Sequence, residues 1–252
     1  MMEKSDYIFG IRAVMEAIEA GKDIDKVFVK SDLQGDLSKE LFDLMRRYHI
    51  VAQKVPVERI NRITRKNHQG VLAMLSPVTY HRLDHLVPRL YEDGVLPFIV
   101  VLDGITDVRN FGAIARTCEC AGVDAIVIPE RGSVSVGGDA VKTSAGALMN
   151  IPVCRERTTA GAVRTLLDSG FTVVGVSEKA DINYTTADYT GPVALVMGAE
   201  DVGISPEVFR LCNTFVSIPM FGKIGSLNVS VAAGVMIYEV VRQRLNANLE
   251  VI

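Results

Sequence analysis

The sequence predicts an α/β protein with a small mixed domain over residues 1–76, a linker over 77–96 and a parallel-sheet domain over 97–252. Three observations carry this. From Pro97 onward, continuous Val/Ile-rich runs such as FIVVLD, DAIVIP, FTVVGVS and PVALVMG alternate with helical segments, and such strands form parallel sheets covered on both faces. Ahead of them lie shorter strands and helices, and the segment between, Pro77 to Pro97, holds three prolines and no clear strand. A length of 252 residues with 48% apolar content also suits two cores better than one.

In order, Gly10 to Ala20 reads as a helix, Lys26 to Lys30 (KVFVK) as a strand, and Asp36 to Tyr48 as an amphipathic helix with Leu37, Leu41, Leu44 and Met45 inward. Val51 to Val55 and Val71 to Leu75 are short strands separated by a basic helical turn. In the second domain FIVVLD leads into the helix NFGAIARTCECAG, then the strand DAIVIP, a helix over GGDAVKTSAGALMN and the strand IPVC. TTAGAVRTLLDSG, FTVVGVS, PVALVMG, SPEVFRLCN and TFVSIP continue the alternation, which ends in the long helix LNVSVAAGVMIYEVVRQRLN.

Composition narrows the function classes. No apolar run approaches the ~20 residues that span a bilayer, and MMEKSDYIFG lacks a charged-then-apolar leader, so a cytosolic protein is expected. Cys118, Cys120, Cys154 and Cys212 lack CxxC spacing and are expected as reduced thiols without a metal. The parallel domain has no GxGxxG after its first strand, which reads DGITDVRNFG, and no GxxxxGK[ST], which disfavours a dinucleotide-dependent oxidoreductase and an ATPase.

The net charge of −3 is unevenly spread: residues 1–80 hold 13 Lys+Arg against 11 Asp+Glu, and residues 81–252 hold 14 against 19. Arg46, Arg47, Lys54, Arg59, Arg62, Arg65 and Lys66 lie between Arg46 and His68 with a single acid, Glu58. Such a run is either a solvated face or a phosphate-binding one.

Three segments share a strand–loop–helix design with ligand-binding character. In IPMFGKIGSLNVSVAAGVMIYE (218–239), Gly222 and Gly225 permit tight turns, and Ser226 and Asn228 fall where N-caps fall. In LDGITDVRNFGAIARTCECAGVDAIVIP (102–129), Asn110 sits near the start of a helix and Arg116 about two turns in. In VALVMGAEDVGIS (193–205), a buried strand ends at Gly198 and is followed by Glu200 and Gly203. All three lie at the carboxyl ends of strands, where parallel α/β sheets bind ligands.

NFGAIAR, MGAEDVGIS and IPMFGKIGSLNVSVA, in this order, closely resemble the three signature motifs of the SpoU (TrmH) RNA ribose 2′-O-methyltransferases of the SPOUT superfamily, over roughly residues 97–245. The pattern from GIRAVMEAI to HQGVLAML resembles, more loosely, the substrate-binding N-terminal domain of some of these enzymes, which is similar to a ribosomal-protein fold. The resemblance implies a C-terminal trefoil knot, a homodimer formed through the knotted domain, and S-adenosylmethionine as methyl donor. It places cofactor contacts on the backbone of Gly198, Ile218, Met220 and Leu227, and the working side chains on Asn110, Arg116, Glu200, Ser226 and Asn228. Arg116 is implied to be central, near the partner's cofactor site; since a guanidinium stays protonated, alkoxide stabilisation or a phosphate grip suits it better than general-base duty.

With an RNA-modifying domain attached, Arg46, Arg47, Arg59, Arg62, Arg65 and Lys66 are expected to contact RNA, with Arg109 and Lys223 adding phosphate contacts. The overall pattern looks most like the bacterial large-subunit rRNA guanosine 2′-O-methyltransferases, with tRNA enzymes second and a non-catalytic RNA-binding module of the same fold third. KTSAGA (Lys142 to Ala147) resembles a further family stretch near the active site, and His68, in the HQG turn, is expected to be structural and not catalytic.

Overall fold

The computed structural model describes residues 7–48 and 50–249; the leader expectation falls in part on residues 1–6, which lie outside these. The chain forms two compact units, one running to Thr79 together with Ser135–Gly138, the other made of Tyr80–Val134 and Asp139 onward.

The first unit comprises β1 (Tyr7–Phe9), α1 (Ile11–Glu19), β2 (Ile24–Lys30), α2 (Asp36–Arg47), β3 (Ala52–Val55), α3 (Val57–Ile63) and β4 (Val71–Leu75). Its sheet runs β1-β4-β2-β3, with β2 and β3 parallel and the other pairs antiparallel. Strand alternation splits its apolar residues between two faces. Val27, Val29, Val71 and Ala73 pack with Val14, Ile18, Leu41, Leu44 and Met45 of α1 and α2; Phe28 and Leu72 pack on the other side with Val55 and Ile60. Leu37 of α2, expected inward, is 38% exposed. The inward face turns one residue further, onto Ser38, whose buried hydroxyl donates to Gly35 O at 2.6 Å. Strand β1 lay hidden in the sequence because it is three residues long.

The second unit contains β5 (Tyr80–His81), α4 (Leu83–Glu92), β6 (Phe98–Asp103), α5 (Val108–Cys120), β7 (Ala125–Pro129), α6 (Gly138–Thr143), β8 (Val153–Glu156), α7 (Thr159–Asp168), β9 (Thr172–Val176), β10 (Ile182–Asn183), β11 (Val193–Gly198), α8 (Pro206–Phe209), β12 (Thr214–Ser217) and α9 (Val229–Leu249). All eight strands join one sheet in the order β10-β12-β9-β11-β6-β7-β8-β5, and every neighbouring pair is parallel.

Residues 77–96, expected as a linker, carry β5 and α4 instead. Leu83 and Val87 enter the second core, and Leu83 N–H donates to Glu156 Oε1 at 2.8 Å. Prolines masked this helix, since Pro88 lies inside it. The helix expected over GGDAVKTSAGALMN stops at Thr143 and resumes as a 3₁₀ turn at Ala147–Met149, because Ala145 and Gly146 adopt φ of 51° and 87°.

Alternating strand residues meet helices on both sides. Ile99, Val101, Ala125, Val127, Ala194 and Val196 face the layer of α4, α7 and α8. Val100, Leu102, Ile126 and Leu195, on the opposite face, are equally buried, and on that side α5 packs against α9. The chain leaves β6 toward β7 on one side, while β11 leads beyond β9 to β12 on the other. That reversal leaves a crevice over the carboxyl ends of the central strands.

Candidate active site

The crevice is a cavity of about 230 Å³. Val176, Ser177 and Glu178 line it from the end of β9, Met197 to Glu200 from β11, and Ile218 and Met220 from β12; Gly225 to Val229 close it from the loop into α9. The four expected backbone contacts, Gly198, Ile218, Met220 and Leu227, thus share one cavity with Glu200, Ser226 and Asn228.

Its floor is built by close backbone approach. Ala199 and Gly203 exchange backbone hydrogen bonds of 3.1 and 2.8 Å, closing a five-residue turn over the end of β11. A Cβ on Gly198 would lie 2.2 Å from Gly203 C and 2.3 Å from Ile204 N, so this position admits only glycine without backbone movement. Asp103, buried at the end of β6, fixes the far side of the turn by accepting from Ser205 N–H at 2.7 Å.

Asn228 is the N-cap of α9, its Oδ1 accepting from Ser230 N–H at 3.0 Å. With that oxygen used, its Nδ2 donates to Asn110 Oδ1 at 3.0 Å and to Glu200 Oε1 at 2.5 Å. Glu200 also accepts from Val229 N–H at 3.4 Å, a carboxylate placed at the positive end of a helix. The three motifs therefore meet in one hydrogen-bonded cluster at the cavity rim.

The capping expectation at Ser226 changes, and the helix of Asn110 is capped by a neighbour. Ser226 lies two residues before the cap, in the exposed loop lining the cavity. Asn110 is the third residue of α5; the cap is Asp107, whose Oδ1 accepts from Arg109 N–H at 2.7 Å and Asn110 N–H at 3.1 Å. Asp107 is held at a pKa of about 2, chiefly by the Arg109 side chain and then by those backbone N–H groups. Capping by Asp107 frees the Asn110 amide to reach Asn228.

Arg116 is exposed on α5. Among the described residues it takes part in no hydrogen bond or ion pair, and neither it nor Asn110 lines the cavity of its own chain. Glu200 is occupied by Asn228 and the α9 start, not by Arg116. Arg109 pairs with Asp107 at 3.1 Å. KTSAGA acquires a role: Thr143 Oγ1 lies 3.1 Å from Val108 O as well as 2.9 Å from Asp139 O of its own helix, and Gly112 leaves room for it, since a Cβ there would lie 2.2 Å from the Thr143 hydroxyl oxygen. The segment thereby buttresses the first turns of α5, which carry Asn110.

Sequence reasoning missed Ser177 and Glu178, whose place in the cavity depends on β9 lying beside β11. It also missed the exposure of Phe221 and Ile224, 98% and 79%, in the loop after β12. The cysteines occupy separate environments: Cys118 and Cys154 are buried, Cys120 exposed, and burial pushes the Cys154 thiol up to about 12.

Comparison with known proteins matches residues 97–238 to the SpoU rRNA Methylase family and residues 7–81 to the RNA 2′-O ribose methyltransferase substrate-binding domain. A Staphylococcus saprophyticus protein whose name places it in the TrmH family of tRNA/rRNA methyltransferases is 36% identical over 94% of this chain and 95% of its own length. The AdoMet-bound rRNA methyltransferase of Sinorhizobium meliloti aligns over 94% of this chain and 87% of that chain, with 26% identity and a TM-score of 0.58. The A. aeolicus TrmH/SpoU tRNA-modifying enzyme aligns over 66% of this chain and 86% of that chain, with 29% identity and a TM-score of 0.55. With its three motifs assembled at one crevice, residues 97–238 matched by the family model and 94% of its length aligned with a 36%-identical relative, the chain belongs to the SpoU (TrmH) family of RNA methyltransferases.

Proposed function

We propose that the protein methylates a ribose 2′-hydroxyl of RNA with S-adenosylmethionine as donor, the target being a guanosine of large-subunit ribosomal RNA. The observation that carries the proposal is the cluster of Asn110, Glu200 and Asn228 at the rim of the strand-end cavity. A tRNA target is the second reading, favoured by the likeness to the A. aeolicus tRNA-modifying enzyme.

The cavity suits such a donor. Met197, Ile218, Met220, Leu227 and Ala232 offer apolar surface for an adenine face, and the strand-end backbone offers donors and acceptors for its edge. Ser177 and Glu178 supply polar groups for ribose hydroxyls, and Glu178 and Glu200 bring negative charge to a cationic ligand. When bound, S-adenosylmethionine supplies an electrophilic methyl on a sulfonium whose charge vanishes on transfer. The protein must align the 2′-oxygen and meet the charge that gathers there as its proton leaves. Arg116, exposed and without a partner among the described residues, is the cation available for that charge or for the adjacent phosphate.

The reading includes a homodimer. Val231, Tyr238 and Leu245 recur every seven residues along α9 and are 52%, 52% and 59% exposed, an apolar stripe of the kind that seats a partner helix. Helix α5 packs beside α9, and the reading has the exposed Arg116 of α5 serve the partner's cavity. The reading also includes threading of the C-terminal segment as a trefoil knot, for which β11 lying between β9 and β6, with α9 returning to α5, is the supporting order.

The test incubates the protein with labelled S-adenosylmethionine and separated ribosomal and transfer RNA from cells lacking the gene, then maps modified riboses by resistance to alkaline cleavage. Label at a guanosine ribose of large-subunit RNA is expected. Label confined to tRNA moves the target, and cofactor binding without label overturns the enzymatic reading.

A further inference from the structure

We infer that RNA lies on the α3 side of the four-stranded sheet and not on its α2 side, so that the basic run divides into a phosphate-binding half and a merely solvated half. The inference rests on the RNA-methyltransferase reading and deepens it.

In sequence the run looks continuous, but the fold sends its two ends to opposite faces. Leu41, Leu44 and Met45 place α2 on the face of Val27 and Val29, whereas Ile60 and Ile63 place α3 on the face of Phe28 and Leu72. Arg46 and Arg47 therefore sit across the sheet from Arg59 and Arg62.

The two faces differ in electrostatic character. On α2 the charges are mixed and mostly paired: Asp36 pairs with Lys39 at 3.0 Å and Asp43 with Arg46 at 3.1 Å, which leaves Arg47 as the helix's one cation without an ion pair among the described residues. From Val57 to Lys66 there are four basic residues and one acid. Arg59, Arg62, Arg65 and Lys66 are all exposed, and among the described residues none forms an ion pair. Unpaired cations on one face are what a polyanion neutralises on binding.

This face is also pre-ordered. The Arg59 guanidinium lies 5.0 Å from the Phe28 ring centroid, and Lys66 Nζ lies 5.6 Å from that of Phe9, so the rings restrict two cations that would otherwise lose freedom on binding. The HQG turn fixes the rest. His68 Nδ1 accepts from Gly70 N–H at 3.0 Å, which leaves Nε2 to donate to Asn61 Oδ1 of α3 at 2.9 Å. Gln69, with φ of 51°, uses its Oε1 to accept from Ile11 N–H at 3.2 Å. The turn and α3 thus form one rigid element, whose Lys66 and Asn67 line a cavity of about 540 Å³ together with Lys30 at the end of β2, itself paired with Asp32 at 3.2 Å. We assign this cavity and the α3 arginines to RNA phosphates.

The test measures affinity of the full-length protein for deproteinised large-subunit ribosomal RNA and, separately, for transfer RNA, across a salt series. Arg59→Ala/Arg62→Ala is compared with Arg46→Ala/Arg47→Ala; all four side chains are exposed, and melting temperatures check folding. The α3 pair is expected to weaken binding of the preferred RNA about tenfold and to reduce the salt slope by about one to two, while S-adenosylmethionine affinity is unchanged. The α2 pair is expected to change RNA affinity less than twofold. An equal or larger loss in the α2 pair, or no loss in either, overturns the inference, and a face serving an acidic protein partner would give the latter. RNA affinity that depends on the α3 pair without any methyl transfer would uphold the face and sink the enzymatic reading.

Discussion

Asn228 Nδ2 lies 2.5 Å from Glu200 Oε1 and 3.0 Å from Asn110 Oδ1, so a single side-chain amide joins the start of α9 to the turn after β11 and to the first turns of α5. Its other atom, Oδ1, caps α9. Structural and functional readings of Asn228 therefore concern different atoms of one side chain and can be separated by substitution.

Asn228→Asp keeps the capping oxygen and loses the donor, setting a carboxylate against Glu200. It is expected to hold its melting temperature within a few degrees of wild type while turnover falls about 10- to 100-fold, the range for losing hydrogen bonds to a charged group. Asn228→Ala loses both atoms and should add a stability loss of about 1 kcal/mol from the cap. Thermal melts and single-turnover methylation decide the matter; full activity in the Asp variant would reduce the cluster to a cap.

Gly198→Ala tests the floor of the cavity. Its Cβ would meet backbone atoms of Gly203 and Ile204 at 2.2 and 2.3 Å, and backbone yields only by moving the turn that carries Glu200. Titration calorimetry should show S-adenosylmethionine affinity lowered at least about tenfold, with a fall in stability of about 1–3 kcal/mol. Undiminished affinity would mean that the turn is not part of the donor site.

The strands that position this site were legible because β6, β7 and β11 are unbroken apolar runs, buried on both faces. The two-residue strands β5 and β10 were not, since two residues carry no periodicity, and α4 was hidden by its own proline. Within the site, glycines and polar side chains marked the loops, yet the sequence could not choose Asp107 over Asn110 as the cap, because both residue types cap helices and they lie three apart. Glu178 was illegible for a different reason: strand order decides which loops share a crevice, and no local pattern encodes that β9 lies beside β11.

The Asp107 cap carries a pH signature. Its folded-state pKa is depressed to about 2 from an ordinary 3.8, first by the Arg109 side chain. A depressed carboxylate contributes stability that is present above its unfolded pKa and lost as pH falls through the folded one. Asp107→Ala should therefore lower the melting temperature by about 2–4 °C at pH 5–8, with the difference from wild type shrinking between pH 4 and 2. Asp107→Asn, which retains a capping oxygen, should recover most of the loss and abolish the pH dependence. A gap that persists unchanged to pH 2 would contradict the assignment.

Arg116 supplies the sharpest test of the dimeric reading. It is exposed, lies outside the cavity of its own chain and, among the described residues, has no partner, so Arg116→Ala should leave folding and donor affinity intact while lowering turnover by about 10²- to 10³-fold, the scale for losing one stabilising donor at a developing charge. If each Arg116 serves the partner's cavity, a two-fold dimer that pairs an Arg116→Ala subunit with a Gly198→Ala subunit holds one site with both parts intact. Equal mixing of the two defective proteins after reversible dissociation, assayed at a donor concentration too low to fill the Gly198→Ala cavity, should then restore roughly a quarter of wild-type turnover, because about half of the dimers are mixed and each has one working site. An arginine acting within its own chain would leave every mixed dimer inactive, since each subunit then carries one defect. Recovery on mixing would place the catalytic arginine and the donor on different chains, whereas its absence, with sedimentation showing mixed dimers present, would return Arg116 to its own subunit.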